Sequence, residues 1–296
     1  MIINKITPQG YCGGVKHALD IVNKAINDNS TKRPIYLLGQ IIHNTHVINK
    51  IKESGIIVLD DKNKTKLELL DEIDNGTIIF SAHGVSPQIY ERAKEKNLNI
   101  IDATCSNVLI VHKRIVEYIN NGYSIIYIGT KKHPECEGVL GISDSISFIT
   151  NQDDINNLSI NNNKIYVTNQ TTLSLFDIKD IFNQIKKKYP NAIIEDKICN
   201  ATTIRQEAVA YQKPVDLCIV VGDNKSSNTK KLAKVASEIA NIKTVLCEDL
   251  ASLDKEALKG INSVSITSGA STISTLVLSY VYLANSPFML SVLPTR

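Results

Sequence analysis

Cys12, Cys105 and Cys199 each open an amphipathic helical pattern: Cys12-Gly-Gly-Val-Lys-His-Ala-Leu, Cys105-Ser-Asn-Val-Leu-Ile-Val-His and Cys199-Asn-Ala-Thr-Thr-Ile-Arg-Gln. From 12 to 105 is 93 residues and from 105 to 199 is 94. A helix start favours the thiolate, because the positive end of the helix dipole lies there. Three thiolates brought to one point by a repeat suggest a metal site, and soft sulfur donors select zinc or an iron–sulfur cluster. A structural zinc site asks for a fourth ligand and for local Cys-x₂₋₄-Cys pairs, which are absent. A [4Fe–4S] cluster normally takes four cysteines. With three, one iron stays open to polarise a substrate oxygen as a Lewis acid. The competing reading is a buried core cysteine, and it suits Cys218 and Cys247, which sit inside apolar runs. Cys136 has no counterpart in the repeat and is not assigned as a ligand.

A second group is His43, His83, His133, Glu135, Thr171, Ser226, Ser227, Asn228 and Ser271. Most of these can donate hydrogen bonds, and several precede or begin a helix, which suits phosphate or diphosphate. For Ser226 and Ser271 a plain N-cap is the alternative. His133-Pro134-Glu135 sets an imidazole beside a carboxyl, a pair that can be tuned to deliver a proton. His17, His46 and His112 lie within helical stretches and read as ordinary helix residues. Neither a Walker A sequence nor a GxGxxG fingerprint is present.

The elements that must carry these residues also recur. After each cysteine helix comes a short apolar strand ending in Gly: Ile35-Tyr-Leu-Leu-Gly39, Ile125-Ile-Tyr-Ile-Gly129 and Cys218-Ile-Val-Val-Gly222. A second strand with a polar end follows in each unit, over 77–83, 164–171 and 263–271, and then helical patterns over about 87–97, 174–189 and 271–285. Strands alternating with helices predict an α/β fold with mainly parallel sheets. Three copies predict a trefoil of three small lobes about a pseudo-threefold axis: 13–103, 104–197 and 198–285, the last joined by 1–12. Ligands of open α/β sheets bind beyond the carboxyl ends of the strands, and every polar loop named above follows such an end. Residues 286–296 form a tail without an assigned role.

Composition narrows the function. The 296 residues are 43% hydrophobic and 21% charged, enough apolar material for a folded core. A net charge of +3, aromatic content of 5% and the absence of Trp give no support for a nucleic-acid partner. No apolar run is long enough for a membrane span, and the N-terminus lacks a signal-peptide pattern. A cytoplasmic location with reduced thiols is the expectation.

Together these motifs resemble the 4-hydroxy-3-methylbut-2-enyl diphosphate reductases, the LytB-type iron–sulfur reductase family. The matching segments are Gly10-Tyr-Cys12-Gly-Gly-Val15, Ser81-Ala-His83-Gly-Val, Asp102-Ala-Thr-Cys105, His133-Pro-Glu-Cys-Glu-Gly138, Asn169-Gln-Thr-Thr-Leu-Ser174, Cys199-Asn-Ala-Thr-Thr-Ile-Arg-Gln206, Ser226-Ser-Asn228 and Gly269-Ala-Ser271. They stand in the family's order over about residues 10–272. The resemblance implies one [4Fe–4S] cluster with Cys12, Cys105 and Cys199 as ligands and one open iron. It implies diphosphate contacts from His43, His83, Ser226, Ser227, Asn228 and Ser271, a proton donor in Glu135, and substrate placement and proton relay by His133 and Thr171. Ser106 and Ile273 depart from positions where Pro is frequent in the family.

The implied activity is reductive dehydroxylation of 4-hydroxy-3-methylbut-2-enyl diphosphate to isopentenyl and dimethylallyl diphosphate, the last step of the non-mevalonate pathway. Electrons are expected from a ferredoxin or flavodoxin, since no flavin or nicotinamide motif is present. Two other classes fit parts of the pattern: a metal-dependent hydrolase of phosphorylated substrates, and an iron–sulfur sensor of phosphorylated metabolites.

Overall fold

The computed structural model of the chain describes residues 2–249 and 251–273. The strands are β1 (Ile2–Lys5), β2 (Ile35–Leu38), β3 (Ile57–Leu59), β4 (Thr77–Phe80), β5 (Asn99–Asp102), β6 (Ser124–Ile128), β7 (Ser147–Ile149), β8 (Ile165–Asn169), β9 (Ile193–Ile194), β10 (Leu217–Val221), β11 (Thr244–Cys247) and β12 (Ser263–Ser268). They form three parallel four-stranded sheets, ordered β3-β2-β4-β5, β7-β6-β8-β9 and β1-β12-β10-β11. The α/β class with parallel sheets is therefore the one read from the strand–helix alternation.

The chain divides into two compact units. One runs Gly13–Ile198 and holds the first two sheets. The other combines the residues up to Cys12 with those from Cys199 onward and holds the third sheet, in which β1 pairs with β12.

Parallel strands covered on both faces must be apolar throughout, and the central strands show why they sit where they do. In β6, Ile126 and Ile128 enter one core with Ile165, Val167, Ile178 and Ile185. Ile125 and Tyr127 face the opposite way and pack with Val111, Ile115 and Val139. In β10, Leu217, Ile219 and Val221 share a core with Val264 and Ile266, while Cys218 and Val220 are buried on the alternate side. Cys218 and Cys247 are thus core residues. The helix Ser106–Asn120 buries Val108, Val111 and Ile115 at helical spacing, each side chain contributing about 1.5–3 kcal/mol of burial free energy.

Element ends differ by a few residues from expectation. The helices are Pro87–Glu95 and Leu175–Lys188. The helix that Ser226 caps is α-helical over Ser227–Lys234, and Val235–Ile239 continue as a π-helix. Of the helix expected over 271–285, residues 274–285 lie outside the described residues, as does the 286–296 tail.

Candidate functional site

In the Gly13–Ile198 unit the loops after β2, β4 and β6 bring three imidazoles together. His43 follows β2, and Asn44 beside it caps the helix Thr45–Glu53 by accepting from the Val47 amide at 3.1 Å. The Ala82 amide donates to the Ile41 carbonyl at 3.2 Å, which ties the His83 loop to the His43 loop. His133 is the N-cap of Pro134–Leu140. The ring centroids lie 4.6 Å apart for His43–His83, 5.7 Å for His43–His133 and 5.6 Å for His83–His133.

Burial is the first cause that pushes His133 down to about 3, with His43 and Lys66 adding to it. Desolvation likewise holds His83 well below the usual imidazole range, helped by His43, His133 and Lys66 and opposed by a hydrogen bond with the Gln40 backbone. The two rings are neutral at ordinary pH. His133 Nδ1 accepts the Glu135 amide at 3.2 Å, so its ring hydrogen is on Nε2. The ligand nitrogens of all three rings lie within 4.8 Å of one another, a spacing open to a cation or, through N–H donors, to an anion.

Glu135, two residues after His133 and bonded to it through its amide, is buried at 2% exposure. Its Oε1 accepts the Thr171 amide at 2.8 Å and its Oε2 accepts the Thr171 hydroxyl at 3.0 Å. Burial raises this carboxyl to about 7 even though both Thr171 bonds favour ionisation. Gln170 braces the same loop, accepting from the Thr130 amide at 2.9 Å and donating to Thr172 Oγ1 at 2.8 Å. Cys105 caps Ser106–Asn120 in the same unit, and its amide donates to the Ala82 carbonyl at 3.0 Å, next to His83.

The other unit gathers Cys12, Cys199, Ser226, Asn228 and Ser271. Cys199 caps Asn200–Ala210, and its Sγ lies 3.1 Å from Thr202 Oγ1. The Cys12 amide donates to the Ala270 carbonyl at 3.1 Å. Ser226 both caps its helix, accepting from the Thr229 amide at 3.3 Å, and receives the Ser271 hydroxyl at 3.2 Å. Asn228 accepts from the Ala270 amide at 3.0 Å and donates to Thr202 Oγ1 at 3.1 Å. Ser227, the first residue of that helix, is half-buried.

None of the six cysteines is in a disulfide, and Cys12, Cys105 and Cys199 are half-buried whereas Cys136, Cys218 and Cys247 are buried. Reduced, partly accessible thiols on two helix caps and a loop are a suitable donor set for a thiophilic metal.

Three residues here carried no role in the sequence reading. Lys66 has a buried Nζ without a hydrogen-bond partner among the described residues, 3.6 Å from Glu137 Oε2; no motif contains it. His112 lies in the helix Ser106–Asn120, its Nε2 is buried with no hydrogen-bond partner among the described residues, and burial pushes the ring down to about 4. Arg205, inside the Cys199 motif, is 4% exposed.

A family model described as LytB protein matches residues 3–282. A 4-hydroxy-3-methylbut-2-enyl diphosphate reductase of Bacillus cytotoxicus is 50% identical over 92% of this chain and 86% of its own length. The enzyme of that name from Bacillus subtilis is 48% identical over 92% and 87%. Among solved structures, the E-1-hydroxy-2-methyl-but-2-enyl-4-diphosphate reductase from Plasmodium falciparum superposes with a TM-score of 0.90 at 36% identity, covering 99% of this chain and 91% of that one.

Proposed function

The chain belongs to the LytB family, and from that we propose that it reduces 4-hydroxy-3-methylbut-2-enyl diphosphate to isopentenyl and dimethylallyl diphosphate. The observation that carries the reading is Glu135, a buried carboxyl raised to about 7, locked to Thr171 and carried on the same helix start as His133, whose Nδ1 accepts the Glu135 amide. Such a group holds its proton near neutral pH and can give it to a leaving hydroxyl. A site that only bound an anion gains nothing from a buried carboxyl.

The family implies a metal cofactor, and Cys12, Cys105 and Cys199 are the residues proposed to hold it as one [4Fe–4S] cluster. When bound, that cluster supplies the electrons and an open iron that polarises the carbon–oxygen bond. The remaining work falls to side chains. His133 offers Nε2–H to the substrate, because its Nδ1 is occupied by the Glu135 amide. His43 and His83, with Ser226, Ser227, Asn228 and Ser271, are proposed to donate to the diphosphate. The Thr171 amide bonds Oε1 of Glu135, so in the protonated acid the proton sits on Oε2, which then donates to the Thr171 hydroxyl instead of accepting from it, and that hydroxyl passes a proton on. The lobes 13–103, 104–197 and 198–285 with 1–12 belong to the same reading, and a ferredoxin or flavodoxin is the proposed electron donor.

The test is anaerobic incubation of iron- and sulfide-loaded protein with the substrate and a low-potential reductant. Both product diphosphates are expected, and E135Q should turn over roughly 100-fold more slowly, or worse, with its iron and sulfide retained. Intact substrate after incubation with fully loaded protein contradicts the proposal. Release of inorganic phosphate or diphosphate instead identifies the hydrolase alternative.

A further inference from the structure

Arg205 is a cation buried without an obvious counter-charge. It sits in the helix Asn200–Ala210 at 4% exposure. Its Nη1 donates to the Ala201 carbonyl and its Nη2 to the Gly10 carbonyl, each at 2.8 Å. Its Nε is buried with no hydrogen-bond partner among the described residues. Nor does any carboxylate among the described residues lie within ion-pair distance of it. An isolated buried guanidinium is costly, and evolution retains such charges where a partner compensates them. Desolvation disfavours its charge, and thiolate forms of Cys12 and Cys199 favour it.

We infer that Arg205 is the charge partner of the metal–sulfur centre that Cys12 and Cys199 help to hold, and that it raises the reduction potential of that centre. The inference rests on the cofactor assignment proposed above. Reduction adds negative charge to a centre already carrying thiolates. A guanidinium fixed by bonds to the segments that carry Cys12 and Cys199 favours the reduced state, and net charge and hydrogen bonds to sulfur are the protein's main means of setting such potentials. The spare Nε–H is a donor suited to a sulfur acceptor. The two carbonyl bonds orient the guanidinium from both cysteine segments, since Gly10 precedes Cys12 by two residues and Ala201 follows Cys199 by two. Arg205 is therefore a positioning and electrostatic residue that does not itself touch substrate.

R205K and R205Q separate charge from geometry, because Lys keeps the charge and loses the fork while Gln loses the charge. Both are reconstituted anaerobically, assayed for iron and sulfide, and titrated for midpoint potential by electron paramagnetic resonance. R205K is expected to load as the parent does with a potential close to it. R205Q is expected to load with a potential shifted to more negative values. If R205Q takes up no cluster while its circular dichroism stays native, full loading of R205K supports the inference. Equal loss of cluster in both variants overturns it, because the role is then a clamp on the Gly10 loop. An unchanged potential in fully loaded R205Q also overturns it. Failure of the parent protein to bind iron and sulfide refutes the cofactor assignment instead, which keeps the two failures apart.

Discussion

Glu135 shows how one residue couples chemistry to stability. Burial pushes its native carboxyl up to about 7 from the ordinary 4.5. Below 4.5 the proton is on in both the folded and unfolded states. As pH rises from 4.5 to 7 the unfolded chain ionises and the native one does not, so folding loses stability through that window and no more above it. Between pH 5 and pH 8 the loss amounts to about 2–3 kcal/mol. E135Q, which keeps the shape and can still accept from the Thr171 amide, should escape it. Urea unfolding at the two pH values should show the variant gaining on the parent by about that amount at pH 8, and equal pH dependence in the two proteins contradicts the assignment. His83 and His133 act with the opposite sign. They are neutral in the fold, so stability is lost as pH falls below about 6.5 and the unfolded imidazoles take up protons, for His133 until about 3. H133N should flatten part of that acid limb in the same unfolding experiment.

Among the elements, the ends of β10 and β12 close on a single side chain of the helix Ser227–Lys234. A Cβ added to Gly269 stands 2.1 Å from Thr229 Oγ1 and 3.1 Å from Thr229 Cβ, and one added to Gly222, where φ is +149°, stands 2.8 Å from the same oxygen. Thr229 is fully buried and its branched side chain has few rotamers open to it in a helix, so the hydroxyl cannot swing clear and G269A should destabilise by about 1–3 kcal/mol. Removing the hydroxyl with T229A should recover much of that, giving a non-additive double-mutant cycle in denaturant unfolding; strict additivity contradicts the contact. The glycines that end the first strands were readable, but the reason for this one lies in a residue 40 positions away. The same limit governed the strands. The two central strands of every sheet were legible in the sequence: β2 and β4 are apolar runs, and β12 alternates Val264 and Ile266 with Ser and Thr. Edge strands such as β3, β7 and β9 are two or three residues long and partly exposed, so neither length nor period marks them. Histidines and Glu135 were legible because the loops that carry them repeat. Lys66 and Arg205 were not, because a buried cation leaves no trace in periodicity.

At the scale of the whole molecule, the spacing of 93 and 94 residues between cysteines is the feature that organises the rest. It accounts for three parallel sheets of equal strand number and for polar loops at corresponding strand ends. Among the described residues no helix is long and apolar enough to cross a membrane. The central claim is that one inorganic centre depends on all three repeat cysteines and on none of the core ones. Iron and acid-labile sulfide per chain, measured after anaerobic purification for the parent and for C12S, C105S, C199S and C218S, tests it most directly. The account predicts about four of each in the parent and in C218S and a loss in every one of the other three. Full iron and sulfide in C12S, C105S or C199S, or their loss in a folded C218S, contradicts it.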